Sequence, residues 1–186
     1  MGVQIGAKLD SGFDDPIGML VDCHRRIEHF LNVLCVVAQR AGGRSLSDEE
    51  AAAVRAAQGY FHEGGKRHTA DEEQSLFSRL VGMPAASLAE ELGGLEGDHK
   101  AADGLHHVID WLYLRWIADG SLTDEEQVLL LRSTDGLRRL YSEHIKIEEQ
   151  IVFPRAAALL DGATIEVIGQ EFRRRRAKDT EARRFS

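Results

Sequence analysis

Residues 144–154 read HIKIEEQIVFP. His144 and Glu148 are four apart, so on a helix they sit one above the other on the same face. Leu137, Leu140, Tyr141 and Ile151 surround that face with apolar side chains. An imidazole and a carboxylate set into a dry stripe are expensive unless they are paired or metal-bound. The same His-x-x-x-acid spacing recurs at His24/Glu28, His68/Glu72 and His99/Asp103. One such pair is ordinarily solvated helix charge. Four, on four separate helical stretches, describe a bundle that offers nitrogen and oxygen ligands to metal at its centre.

The stretches around the pairs read as helices with clear ends. Asp15-Pro16 is a start signal, and Ile17, Leu20, Ile27, Leu31 and Leu34 recur at helical spacing to about Arg40. Ala41-Gly42-Gly43 breaks the pattern. Ser47 with Glu50 forms a capping box and opens a second helix that ends near Val81. Gly64-Gly65 inside it costs about 1 kcal/mol per glycine, either to loosen the helix for a ligand or to let helices pack closely. Met83-Pro84 breaks the chain again. A third helix runs to about Ala118, with a disturbance expected at Gly93-Gly94, and Asp119-Gly120 ends it. Thr123 with Glu126 caps a fourth helix that reaches Leu160. After Asp161-Gly162 a shorter fifth helix covers Ala163 to Arg176. No strand alternation is present. The expected fold is all-α: an up-down-up-down antiparallel four-helix bundle over about 14–160 with a short extra C-terminal helix, in one domain spanning 1–186.

Antiparallel helices bring residues at equal distance from a turn to similar height. Counted from turn centres near residues 43, 82 and 121, the four histidines agree to within about 9 Å at ~1.5 Å per residue. His106/Asp110 has the same spacing but falls roughly two turns away, so His99 is preferred. His29, His62, His106 and His107 are assigned to surface or packing. Glu73 and Glu149 point about 100° off the inner face and are expected in solvent. Tyr141, one turn before His144, is placed either in plain packing or in a hydrogen bond near the centre. Cys23 is turned 100° from His24 and is left out of the ligand set.

Composition narrows the function classes. The chain has 186 residues, enough to bury a core, and a net charge of −8, which argues against nucleic-acid binding through overall charge. The run Arg173 to Arg176 is the exception, a basic tail read as solvated, with docking to an acidic partner or nucleic acid as its alternative. Cys23 and Cys35 lie about 18 Å apart on one helix and cannot pair there. Free thiols point to a reducing, cytoplasmic setting. The leading MGVQIGAKLDSG has no signal-peptide run, and no stretch is apolar enough to span a membrane.

Histidines and carboxylates without cysteine point to iron, with manganese as the alternative, rather than structural zinc. Two octahedral ions have about twelve coordination positions. Four histidines, two bridging carboxylates and an oxo or hydroxo bridge leave room for dioxygen, nitric oxide or peroxide. Glu72 and Glu148 are therefore assigned as bridges. Glu28 and Asp103 rank second, as supporting groups around the ligands. Ferritin-like sites use Glu-x-x-His on two helices; this chain has one instance, Glu96/His99, and so departs from them.

The motifs HRRIEHF (24–30), HTADEEQSLF (68–77), GDHKAAD (97–103) and HIKIEEQIVFP (144–154) resemble the hemerythrin HHE cation-binding family, over roughly 14–160. The resemblance implies a non-haem di-iron centre and carries metal-ligand roles onto His24, His68, Glu72, His99, His144 and Glu148. The chain departs from the oxygen-carrying members in two places. They have two histidines four apart on the third helix, where this chain has His99 and Asp103. They have an aspartate five after the last histidine, where this chain has Glu149. In this it is similar to hemerythrin-like proteins linked to nitric oxide, peroxide and iron-centre repair. The functions so implied are small-ligand binding, peroxidase- or catalase-like or nitric oxide-reducing turnover with a redox partner, and iron donation to an acceptor protein or sensing.

Overall fold

A computed structural model describes residues 10–83 and 88–184. Residues 1–9, which carry most of the leading segment, and Pro84 of the expected break lie outside the described residues. Among the described residues all regular structure is helical. The elements are α1 (Pro16–Ala41), α2 (Asp48–Tyr60), α3 (Lys66–Asp71), α4 (Ser78–Val81), α5 (Ala89–Asp119), α6 (Asp124–Ile147), α7 (Phe153–Leu159) and α8 (Gly162–Arg184). Three π-helical turns join some of them without a break: π1 (Phe61–Gly65), π2 (Glu72–Phe77) and π3 (Glu148–Val152).

Local chemistry sets the ends. Asp15 caps α1 by accepting from the Gly18 amide at 2.9 Å, with Pro16 in the first turn. Ser47 with Glu50 and Thr123 with Glu126 both form the expected capping boxes. Gly42 and Gly120 follow α1 and α5 at φ 56° and 79°, a left-handed conformation that costs glycine nothing. The loops after α1 and after α5 lie at the same end of the molecule. The Leu122 amide donates to the Gly43 carbonyl at 3.0 Å, and Trp116 Nε1 donates to the Arg44 carbonyl at 2.8 Å.

Helix α1 packs on α2 and α6, and α5 packs on the same two, so the four helices close a ring. Two apolar clusters fill it. Ile27, Leu34, Val54, Tyr113, Trp116 and Leu137 belong to the first. Leu20, Leu76, Leu92, Leu95, Val152 and Phe172 belong to the second. Each fully buried Leu or Ile stabilises by roughly 1.5–3 kcal/mol. On α1 the sequence passes from the second cluster at Leu20 through His24 to the first at Ile27. On α5 it passes from Leu95 through His99 to Ala102. The histidine layer therefore lies between two dry cores.

Three expectations need correction. Gly93-Gly94 does not disturb α5, because Leu92 and Leu95 on either side are buried at 1% exposure and their packing holds the helix. Gly64-Gly65 marks π1 rather than a weakened α-turn. The fifth helix is long, running from Gly162 to Arg184. Asp161 accepts from the Thr164 amide at 2.8 Å to start it, and Ile168 and Phe172 bury its inner face in the second cluster.

Helix α8 also takes up the basic run. Arg175 Nη1 and Arg176 Nη1 donate to the two oxygens of Asp71 at 2.6 and 2.8 Å, and Arg175 Nη2 donates to Ser75 Oγ at 2.7 Å. Asp71 is wholly buried. The acidic partner of the run is inside the same chain, one residue before Glu72.

Candidate metal centre

His24 on α1, His68 on α3, His99 on α5 and His144 on α6 all turn inward. Their exposures are 1%, 4%, 8% and 2%, so His99 is the most accessible. Glu72 opens π2 and Glu148 opens π3, and both are wholly buried. Glu72 Oε1 lies 3.0 Å from His68 Nε2 and 3.7 Å from His24 Nε2, while its Oε2 lies 3.3 Å from His99 Nε2. Glu148 Oε2 lies 3.1 Å from His24 Nε2 and 3.4 Å from His144 Nε2.

These atoms form two donor groups. His24, His68, Glu72 and Glu148 place one ligand atom each within 4.8 Å of one another, and so do Glu72, His99, His144 and Glu148. The two carboxylates are common to both. Glu28 and Asp103 are exposed and belong to neither group. Cys23 also stands outside, with its sulfur 3.2 Å from Arg26 Nη2.

The outward nitrogens of three histidines are held by acids that sequence spacing had sent to solvent or passed over. His24 Nδ1 donates to Glu149 at 2.8 Å, His99 Nδ1 to Glu73 at 2.8 Å, and His144 Nδ1 to Asp98 at 3.3 Å. A residue 100° round from the core of a bundle faces the groove beside a neighbouring helix, where that helix's histidine passes. Each acid is next in sequence to a member of the centre, and that adjacency was the available signal. A proton fixed on Nδ1 leaves the Nε2 lone pair directed at the centre and makes the ring a stronger ligand.

The inward atoms are those a cation would satisfy. Nε2 of His24, His99 and His144 and all four oxygens of Glu72 and Glu148 are buried without a hydrogen-bond partner. Such groups carry a large cost unless something compensates them. Their electrostatics say the same. Burial pushes the His24 imidazole down, but the nearby Glu148 and Glu72 carboxylates outweigh it and lift the group to about 11. His99 is lifted against burial by Glu72 to about 9. Burial drives His68 down to about 3. Burial also raises Glu72, yet the imidazoles of His68, His24 and His99 packed against it hold it well below the usual carboxylate range. The pocket needs positive charge beside its carboxylates, and protons or metal ions can supply it.

The model of the hemerythrin HHE cation-binding domain matches residues 15–156. The chain belongs to that family. We found no match among curated proteins. The hemerythrin match takes in every histidine and acid of the two donor groups and stops before α8, so the Arg175–Asp71 contact joins an element beyond the matched region to one within it. As an HHE-domain protein the chain carries a His/Glu cluster suited to a metal cation. No helix among the described residues is long and apolar enough to cross a membrane.

Proposed function

We propose that this protein holds two iron ions, with manganese as the alternative metal, and binds or reacts with dioxygen, nitric oxide or peroxide. The observation that carries the reading is the pair of donor groups sharing Glu72 and Glu148. His24 and His68 would hold one ion and His99 and His144 the other, with Glu72 and Glu148 within reach of both. Donors of nitrogen and oxygen without thiolate suit iron or manganese. Iron of this kind supplies redox chemistry and an open coordination position for a small ligand. The protein's own groups orient the imidazoles through Glu149, Glu73 and Asp98 and keep bulk water out with the rings of Phe153 and Phe77, which stack on His24 and His99 at 5.5 and 6.4 Å. The reading takes the ring of α1, α2, α5 and α6 as an up-down-up-down antiparallel four-helix bundle within a single domain over 1–186. The joined course of α1, where the histidine lies between two apolar clusters, supports it.

Iron donation to an acceptor protein is the rival. The complete burial of Glu72 and Glu148 favours retention over release. Anaerobic titration of the ferrous protein with oxygen, nitric oxide and peroxide tests the choice. A saturable spectral change with at least one of them is expected. Spectra unmoved by all three, together with rapid iron transfer to an apo iron-sulfur acceptor, would favour the rival.

A further inference from the structure

The stretch from α3 through π2 to α4 has two faces with different partners. His68 and Glu72 face the centre, with Glu72 Oε1 at 3.0 Å from His68 Nε2. Asp71, Ser75 and Arg79 recur four apart, and all three meet α8. Arg175 Nη1 and Arg176 Nη1 hold the two oxygens of Asp71, and Arg175 Nη2 holds Ser75 Oγ. Arg79 Nη2 donates to Glu171 Oε1 at 2.9 Å, and Arg79 Nη1 donates back to the Ser75 carbonyl at 2.6 Å. Ile168 and Phe172 of α8 share the second apolar cluster with Leu76, Phe77 and Leu80. Helix α8 thus grips this stretch by charge and by packing over about two turns.

Glu72 has no comparable hold of its own. Both its oxygens are buried without a hydrogen-bond partner among the described residues, so its backbone sets where the carboxylate lies. That backbone opens π2. A π turn is a single-turn departure from the α-helical ladder, and no side chain caps this one. The same turn carries Glu73, which holds His99 Nδ1 at 2.8 Å, and Phe77, which stacks on the His99 ring. One short segment therefore presents three groups to the centre, and α8 holds its outer side. Asp71, the residue before Glu72, is wholly buried between guanidiniums that are 21% and 22% exposed. A donor on each carboxylate oxygen fixes direction as well as distance.

We propose that α8 is a clamp on the metal centre. Arg175 and Arg176, acting through Asp71 and Ser75, are positioning residues that hold π2 so that Glu72 stays in place, and the protein retains its metal only while α8 is docked. The inference rests on the metal-binding reading. It adds that retention is governed by an element beyond the matched residues 15–156.

The test uses the full chain loaded with ferrous iron under anaerobic conditions. It follows iron loss to excess chelator, with the melting temperature measured on every sample. Replacing Arg175 and Arg176 together by alanine should speed iron release by about tenfold or more, the scale of losing a residue that orients a ligand. Because that variant leaves Asp71 a buried unpaired charge, the deciding sample adds Asp71→Asn. The triple variant should regain part of the melting temperature and still release iron about tenfold faster, since the charge is relieved but the tie to α8 is not restored. Ser75→Ala removes one tie without burying a charge and should speed release by about threefold, the scale of one hydrogen bond. Val54→Ala, in the first apolar cluster, should lower the melting temperature and leave the release rate alone. Release at the wild-type rate in both the triple variant and Ser75→Ala overturns the proposal and leaves the metal reading standing. Release that tracks melting temperature alone, Val54→Ala included, also overturns it. Wild-type protein that takes up no iron defeats the metal reading and this inference together.

Discussion

Glu72 and Glu148 lie where water does not reach, and the residues around them are chosen to live with that. The hydrogen bonds from the outer nitrogens of His24, His99 and His144 make Glu149, Glu73 and Asp98 positioning residues. Glu149→Ala or Glu73→Ala should weaken metal affinity by about 10- to 100-fold in chelator competition, whereas Glu28→Ala, on the surface, should leave it unchanged. Equal effects of all three would remove the positioning role. The metal-free protein should also respond to alkali. His24 and His99 are raised above their ordinary 6.5 to about 11 and about 9. A raised histidine contributes stability that is complete below 6.5 and is lost as pH rises through its folded value. Melting temperature of chelator-stripped protein should therefore fall as pH climbs through about 9 and on towards about 11. Glu72→Gln should flatten that fall. A melting temperature constant over this range in the unaltered chain would contradict the charge balance described above. At this scale the inward-facing histidines were legible because an i, i+4 rule is simple and each pair sat on its own helix. Glu73, Glu149 and Asp98 were not, because spacing along one helix says nothing of which neighbouring helix passes the flank.

The helices and their caps follow from local sequence, and the departures from expectation occur where tertiary contacts take over. Capping boxes at Ser47 and Thr123 act within one turn and were readable as such. The π turns at Glu72 and Glu148 were not, since an inserted residue leaves no mark in apolar periodicity; Gly64-Gly65 at π1 was the one visible hint. Turns of this kind gather at functional sites, and here two of them begin at the shared carboxylates. Helix α8 was read as short and Arg175 and Arg176 as solvated because Asp71, more than a hundred positions earlier, is invisible to local pattern; Arg173 and Arg174 are exposed as expected. Replacing Arg175 and Arg176 together by alanine would leave Asp71 an uncompensated buried charge. Urea melts should show a loss of about 3 kcal/mol, and adding Asp71→Asn should restore part of it. A loss within error of zero would mean that the pairs contribute nothing. Gly169 on the same helix lets the Phe13 carbonyl approach so closely that a Cβ would collide with it. Gly169→Ala should cost about 1–3 kcal/mol in the same melts, and an unchanged midpoint would refute that close approach.

The molecule as a whole is two apolar cores separated by one polar layer, with α8 strapped across the outside. Each core is self-consistent, and among the described residues the layer between them collects most of the buried side-chain atoms that lack hydrogen-bond partners. A cation pair would turn this weak plane into a crosslink among α1, α3, α5 and α6. The all-helical fold could be read from the chain because periodicity and caps agreed throughout. The level of the histidines could be read only to within several ångströms, since turn centres carry that error. Metal analysis of the chain grown with iron tests the central claim most directly. The account predicts about two ions per chain, with an oxo-bridge absorption band in the oxidised protein. Less than half an ion and no such band would contradict it.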